Sequence, residues 1–304
     1  MILEVLLLAV ALDILLGEPP ARIHPVVLIG RMISALQRRA QPTRAYGLAI
    51  ALIVVFCTVA TGHLLLKAAS YVDIFGLSLG IVLSAYLLKS TIAIRSLLVT
   101  SARIGHMIES DLAEARKMLP ALVSRDAEDL SRAQASSAVI ESLSENYVDA
   151  VISPIFYFLL FSVVGLGVEA ALAYKAVNTL DSMLGYKTED LIKLGYVSAK
   201  VDDLANWVPA RLSVMIMAVA VPQRALPTIK TALRYHRAPA SPNSGWPIAG
   251  AAGALGIRLE KPGSYTILCD GREPTTADIS RALRFIGATI VLTLVLATLL
   301  PMAL

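Results

Sequence analysis

Ala150 to Val168 is a run of 19 residues without one charged side chain, and it follows directly on three carboxylates set four apart, Glu141, Glu145 and Asp149. An uncharged stretch of about 20 residues is what a helix needs to cross the ~30 Å hydrocarbon layer of a bilayer. No feature constrains the chain more, because backbone polar groups in oil must be satisfied internally, which leaves helices or closed barrels. Similar runs recur. Arg44 and Lys67 enclose 22 residues whose only ionisable side chains are Tyr46, Cys57 and His63. Ile74–Ile94 is interrupted only by Lys89, which at the end of a span would snorkel to the interface. Phe285–Leu304 is a further span, and Met1–Leu16 another, despite Glu4 and Asp13 inside it. Leu212–Val221 has ten residues, short enough to be re-entrant or half-buried. The expectation is an all-α, polytopic membrane helical bundle with a polar helical insert and cytoplasmic loops, crossing the membrane about five to eight times.

Composition agrees. Only 16% of the 304 residues are charged, against about 25% in soluble domains. The net charge of +4 forms no basic stripe, so nucleic acid is not an expected partner, whereas the lipid bilayer is. Cys57 lies in an expected span and Cys269 in a loop, so neither a disulfide framework nor a cysteine-based zinc site is expected. Without a basic leader and a small-residue cleavage site, the N-terminus does not read as a signal peptide. Basic residues gather in Arg22–Arg44, Arg95–Arg132 and Arg224–Arg284, while Lys67–Asp73 is nearly bare. The positive-inside rule puts Lys67–Asp73 outside and the first two clusters in the cytoplasm. Beyond residue 150 two topologies stay open: a full crossing by Ala150–Val168, or a re-entrant pair of half-helices, which Pro154, Gly165 and Gly167 permit.

No internal repeat divides the chain, so residues 1–304 are expected to form a single integral membrane domain. Three polar islands interrupt the apolar runs, at about 96–149, 174–211 and 222–271. In the first, Pro120 ends one segment and Ser124 is placed to cap the next. Val139, Leu143 and Tyr147 then form one stripe, with Glu141, Glu145 and Asp149 about 200° away around the helix. The third island is rich in Pro, Gly and Ser and is expected to be dominated by loops.

An acid row spaced by four is most simply the wet face of an amphipathic helix. This row has no intervening Lys or Arg to neutralise it, and Asp149 abuts the apolar run, where an unpaired carboxylate is expensive. A divalent cation would relieve both. Mg²⁺ is commonly held by one or two carboxylates plus substrate phosphates, which makes Glu141, Glu145 and Asp149 a candidate metal-facing group. The second island offers oxygen ligands and phosphate partners together: Asn178, Asp181, Asp202, Asp203 and Asn206 beside Lys175, Lys187, Lys200 and Arg211. It is otherwise an ordinary polar turn between helices. His24 and Arg31, in "GEPPARIHPVVLIGRM", would contact substrate or mark the lip of the membrane. The glycines of "SPNSGWPIAGAAGALGIRL" would either admit an anion to the backbone or let helices pack closely. No P-loop, nucleophile elbow or HExxH helix is present.

Six blocks, in order, resemble the CobD/CbiB family, the adenosylcobinamide-phosphate synthases of cobalamin biosynthesis: "LDILLGEPPARIHPVVLIGRMI", "SRDAEDL", "IESLSENYVDAVISPIF", "YKAVNTLDSMLGYK", "DDLANWVPARLS" and "SPNSGWP". Ser137 stands where many members have an arginine, and "RLEKPGSY" lacks a double glycine common there. The resemblance implies an integral protein of the cell membrane that joins adenosylcobyric acid to (R)-1-amino-2-propanol phosphate, or a related amino alcohol, with ATP as co-substrate and Mg²⁺ beside it. Other enzymes of nucleotide-loop assembly are possible partners. A carboxylate needs activation before an amine can attack it, and ATP can supply an acyl phosphate. Such a site needs acids for metal or proton transfer and cations for phosphates. The expected catalytic acids are Glu141, Glu145, Asp181, Asp202 and Asp203. Phosphate contacts are expected from Arg31, Lys175, Lys187, Lys200 and Arg211, and substrate orientation from His24, Asn146, Asn178, Asn206 and Asn243. A corrinoid transporter, or a non-catalytic sensor related to the family, is the alternative.

Overall fold

The computed structural model describes residues 1–74, 77–123, 127–185, 188 and 191–303. Its helices, in chain order with two short hairpins between them, are α1 (Ile2–Leu16), α2 (Pro25–Gln37), α3 (Arg44–Ala69), β1 (Asp73–Ile74), β2 (Leu77–Ser78), α4 (Leu79–Lys89), α5 (Ile94–Ser110), α6 (Leu112–Met118), α7 (Arg132–Tyr147), α8 (Ser153–Ser162), α9 (Gly167–Leu184), α10 (Tyr196–Ala205), α11 (Trp207–Ala220), α12 (Ala225–Tyr235), α13 (Gly245–Leu255), β3 (Leu259–Lys261), β4 (Tyr265–Ile267) and α14 (Thr276–Ala303). The all-α class read from hydropathy is therefore correct. Contacts group the chain into two compact units, each assembled from separate segments: Met1–Ala93 with Ser153–Ala205 and Ala297–Leu304, and Ile94–Ile152 with Asn206–Leu296. The second polar island divides between them at residue 205.

In the first unit α2, α3 and α9 share a core of Ile29, Ile33, Ile50, Val54, Ala176, Leu180, Leu184 and Leu194. Only 17% of the most apolar window of α3 is buried, and Leu48, Leu52, Phe56 and Leu64 stand exposed. A helix that shows this much hydrocarbon outward is built for lipid. Gly47 and Gly62 bring α3 close to its neighbours, since a Cβ on Gly62 would meet Leu172 at 2.7 Å. Lys89 does not snorkel. Its ammonium lies 3.3 Å from Asp13 and 2.8 Å from Glu18, in the interior. Asp13, an oddity inside an apolar helix, is thus the counter-ion that allows Lys89 to be buried.

Ala150–Val168 is not one crossing helix. The chain passes through a π-helical turn at Val148–Ile152, runs for the 10 residues of α8, and reverses through Gly165 at φ 76° before α9 begins. Within the uncharged run the helix covers Ala150–Ser162, 13 residues or about 20 Å, short of a bilayer core. α8 and α9 pack on each other, and α9 lies almost wholly beyond the uncharged run, so the run does not hold a pair of half-helices. Among the described residues three helical segments are long and apolar enough to cross a membrane: Arg44–Ala69, Leu79–Ser110 and Thr276–Leu300. A fourth results if α11 and the Pro222–Tyr235 segment, bent by 113°, are one broken span. The expected five to eight crossings counted α1, which has 15 residues, and the broken run after residue 150.

In the second unit α7 starts on a capping box: Ser131 Oγ accepts from Gln134 N at 3.2 Å, and the Gln134 side chain accepts from Ser131 N at 3.0 Å. The cap is Ser131, and Ser124 lies outside the described residues. α7 is buried on every side from Ala135 to Ser144, so the acid row has no wet face at Glu141. Tyr147 closes the helix inside, its hydroxyl 2.7 Å from Thr293 Oγ1. The third island is helical rather than loop-dominated. α12 and α13 pack tightly because α13 carries glycine where α12 approaches: a Cβ on Gly253 would lie 2.7 Å from Thr231 Oγ1. Small residues are the usual means of close helix contact in membranes, and of the two roles open to these glycines this is the one Gly253 fills. β3 and β4 form an antiparallel hairpin with Lys261 opposite Tyr265.

Candidate functional site

The densest polar group of the first unit lies where α9 meets α10. Lys175, Asn178 and Asp181 recur along one face of α9 at helical spacing. Lys175 Nζ donates to Asn178 Oδ1 at 3.1 Å, and Asn178 Nδ2 donates to Asp202 Oδ1 at 3.4 Å. Burial, and then the charges of Asp202 and Asp203, push the Asp181 carboxyl up to about 6. A buried carboxyl raised by two neighbouring acids favours a proton or a cation beside it. Lys200 reaches Asp203 only at 3.5 Å and from an exposed position. Tyr157 closes one side: its hydroxyl donates to Ala205 O at 3.0 Å and its ring stacks on Tyr174 at 5.4 Å. Both rings also line an apolar cavity of about 330 Å³ with Val59, Phe161 and Glu169. Of the second island, Lys175, Asn178, Asp181, Asp202, Asp203 and Lys200 are brought together, while Asn206 and Arg211 belong to the second unit. Lys187 lies outside the described residues.

His24 and Arg31 are placed otherwise. His24 caps α2, accepting from Val26 N through Nδ1 at 3.2 Å, while Nε2 faces Glu18 at 3.0 Å. Glu18 in turn meets Lys89, so His24 belongs to the buried charge network of α1 and α4 and serves structure there. Arg31 is exposed on α2.

In the second unit the acid row separates by environment. Glu141 is 2% exposed, accepts from Ser137 Oγ at 2.8 Å, and accepts a very short hydrogen bond from the Tyr265 hydroxyl of β4. Ser137 Oγ also accepts from Glu260 N at 2.8 Å, which ties the hairpin to α7. Glu145 is exposed and Asp149 half-buried. Asn146 is turned onto its own helix, donating to Ser142 O at 2.9 Å. Asn206 and Asn243 are buried at the N-terminal ends of α11 and α13. Arg211, one turn into α11, donates through one Nη1 to Trp207 O at 2.6 Å and to Asn243 Oδ1 at 3.4 Å. Among the described residues no group of three or more His, Cys, Asp or Glu side chains is arranged to hold a metal ion by itself.

Ser137, Tyr265, Tyr157, Trp207 and Trp246 escaped sequence reasoning. Ser137 had a signal, sitting four residues before Glu141 on a helix. Trp207 likewise sits four residues before Arg211 on α11, whereas Tyr265 and Trp246 had no signal, because their contacts join distant stretches of chain.

Helices of membrane length, with polar clusters set at their ends and breaks, define a helical membrane-type protein rather than a soluble domain. The CobD/Cbib protein family model matches residues 6–286, and the chain belongs to this family of cobalamin biosynthesis. It is 51% identical to a probable cobalamin biosynthesis protein CobD of Methanothrix thermoacetophila, over 98% of this chain and 96% of that one. It is 42% identical to the protein of the same description from Pyrococcus abyssi, covering 91% and 88% of the two chains. A cobalamin biosynthesis protein CobD of Geobacter metallireducens is 41% identical, over 84% and 80%. No solved structure is matched.

Proposed function

We propose that this protein is a multi-pass enzyme of the cell membrane that joins adenosylcobyric acid to (R)-1-amino-2-propanol phosphate, or a related amino alcohol, in an ATP-dependent amide ligation. The observation that carries the reading is the Lys175–Asn178–Asp181–Asp202–Asp203 cluster, in a chain of a cobalamin-biosynthesis family. An amine is a nucleophile only after it loses a proton, and a carboxylate that protonates near pH 6 is matched to that transfer. Asp181 is the base in this reading, with Asp202 as its electrostatic partner. Lys175, held by Asn178, supplies positive charge for a phosphate.

The family implies Mg²⁺ with the ATP. Glu141 does not suit it, since its two oxygens already accept from Ser137 and Tyr265. Asp202 and Asp203 suit it better: they set negative charge beside Asp181 that a cation would relieve. That pair plus substrate phosphate oxygens would complete the shell that Mg²⁺ prefers, with Asp181 kept as the base. The ion would supply charge neutralisation on the transferring phosphoryl group.

Purified protein in nanodiscs, given ATP, Mg²⁺, adenosylcobyric acid and aminopropanol phosphate, should yield the amide and ADP by mass spectrometry. Transport of labelled corrinoid without covalent change would replace this reading with that of a transporter.

A further inference from the structure

Four flat groups lie on one another in the second unit. The Arg211 guanidinium carbon sits 4.1 Å from the ring centre of Trp207 and 4.9 Å from that of Trp246. Trp246 in turn stacks on His236 at 4.3 Å with 24° between planes. His236 is anchored by a 3.0 Å contact of Nδ1 with Leu233 O. Glycine at 245 is required for this seat, because a Cβ there would run into the carbonyl of His236. The stack gathers the start of α11, the end of α12 and the start of α13.

Two features of the stack lack a partner. Arg211 forms no ion pair among the described residues, and its hydrogen bonds use Nη1 alone. The opposite edge, Nε and Nη2, makes no hydrogen bond among the described residues and is half-exposed. The Trp246 indole N–H is buried and has no acceptor among the described residues. A buried donor without an acceptor is rare and calls for an explanation. A charged guanidinium without a counter-ion calls for the same one, an anion.

We infer that the Trp207–Arg211–Trp246 stack is an oxyanion site that takes a phosphoryl group. A guanidinium edge matches two oxygens in its own plane. A third donor, the Trp246 N–H, sits on a ring under the guanidinium rather than in its fork. A tetrahedral phosphoryl group has oxygens in more than one plane, whereas a carboxylate does not. This deepens the ligase reading, on which it rests for the source of the phosphate: the amino alcohol phosphate or ATP.

The chain contains 2 tryptophans, and both are in the stack, so tryptophan emission, excited apart from tyrosine, reports on this site alone. Titrating the purified full chain with inorganic phosphate should change its emission saturably, and Arg211→Gln should abolish the change. Trp246→Phe keeps Trp207 as reporter and should weaken binding about tenfold, or about 1.4 kcal/mol. Aminopropanol phosphate should compete where aminopropanol does not, and ATP should compete if the site serves the nucleotide. An unsaturable response, an equal response to acetate, or full phosphate binding by both folded variants would overturn the site. Should Arg211→Gln fail to fold, the Trp246→Phe titration and the acetate comparison still decide. The binding assay does not depend on turnover. Saturable phosphate binding by a protein that forms no amide would therefore defeat the ligase reading and leave the site standing.

Discussion

The Lys89 ammonium lies 3.3 Å from the Asp13 carboxylate, with both side chains essentially out of solvent at 3% and 0% exposure. A single buried charge would be ruinous in an apolar helix pair, and the two are tolerable only together. Lys89→Met should therefore destabilise the protein by about 3–5 kcal/mol, because it strands Asp13 beside Glu18. Adding Asp13→Leu to Lys89→Met should restore much of the loss. Thermal unfolding in one detergent, read for the single and double variants, checks this. Additive losses would mean that the pair is not coupled.

Glu141 links α7 to the β3–β4 hairpin through Ser137 and Tyr265. Tyr265→Phe and Ser137→Ala each remove a donor from a buried carboxylate and should cost about 1–3 kcal/mol. Proteolysis within residues 260–266 should speed up accordingly. Glu141→Gln should lose stability by a similar margin while the folded fraction keeps its ligation, because Glu141 anchors the hairpin. Loss of turnover in a fully folded Glu141→Gln variant would return the acid row to the chemistry.

Asp181 gives the reaction a pH signature. Its pKa is raised to about 6 from 3.8 by burial first, and then by Asp202 and Asp203. A base with that pKa loses its proton as pH rises through about 6, so the ligation rate should climb across that interval. Asp203→Asn removes one repelling charge and should move the climb to lower pH. Asp181→Asn should flatten it and lower the plateau by about 10²–10⁴-fold. The same shift makes folding less favourable as pH rises from about 4 to about 6, since the folded protein holds the proton longer. A rate profile in which Asp203→Asn leaves the midpoint unmoved would remove Asp181 as the base.

Gly253 tests close packing of α13. A Cβ at this position would lie 2.5 Å from Pro227 O and 2.7 Å from Thr231 Oγ1. Backbone does not yield as a flexible side chain does, so Gly253→Ala should destabilise by about 1–3 kcal/mol. At Gly287 no atom lies within 4 Å of an added Cβ, and Gly287→Ala should be tolerated. Equal melting temperatures for the two variants would argue against the α12–α13 contact.

Much of this protein was legible from order and hydropathy alone. An uncharged run of 20 or so residues has few ways to satisfy its backbone in oil, so α3 and α14 followed directly from composition. The six blocks carried the family, and the island at Lys175–Asp203 carried its acid–amide–lysine cluster, because those residues are close in sequence as well as in space. What hydropathy could not convey were pairings made across the chain. Asp13 and Lys89 each looked like a flaw in a span, and their meaning lies in the contact between them. The break of Ala150–Val168 rests on a π-helical turn and a left-handed glycine, neither of which changes the hydropathy of the run. Residues 222–271 have a loop-like composition yet include the packed helices α12 and α13, since in close-packed helices glycine is a means of contact. Hydropathy is a property of neighbours along the chain. Burial of Glu141 and the stacking of Arg211 between two indoles are properties of neighbours in space, and they arise only when distant segments are brought together.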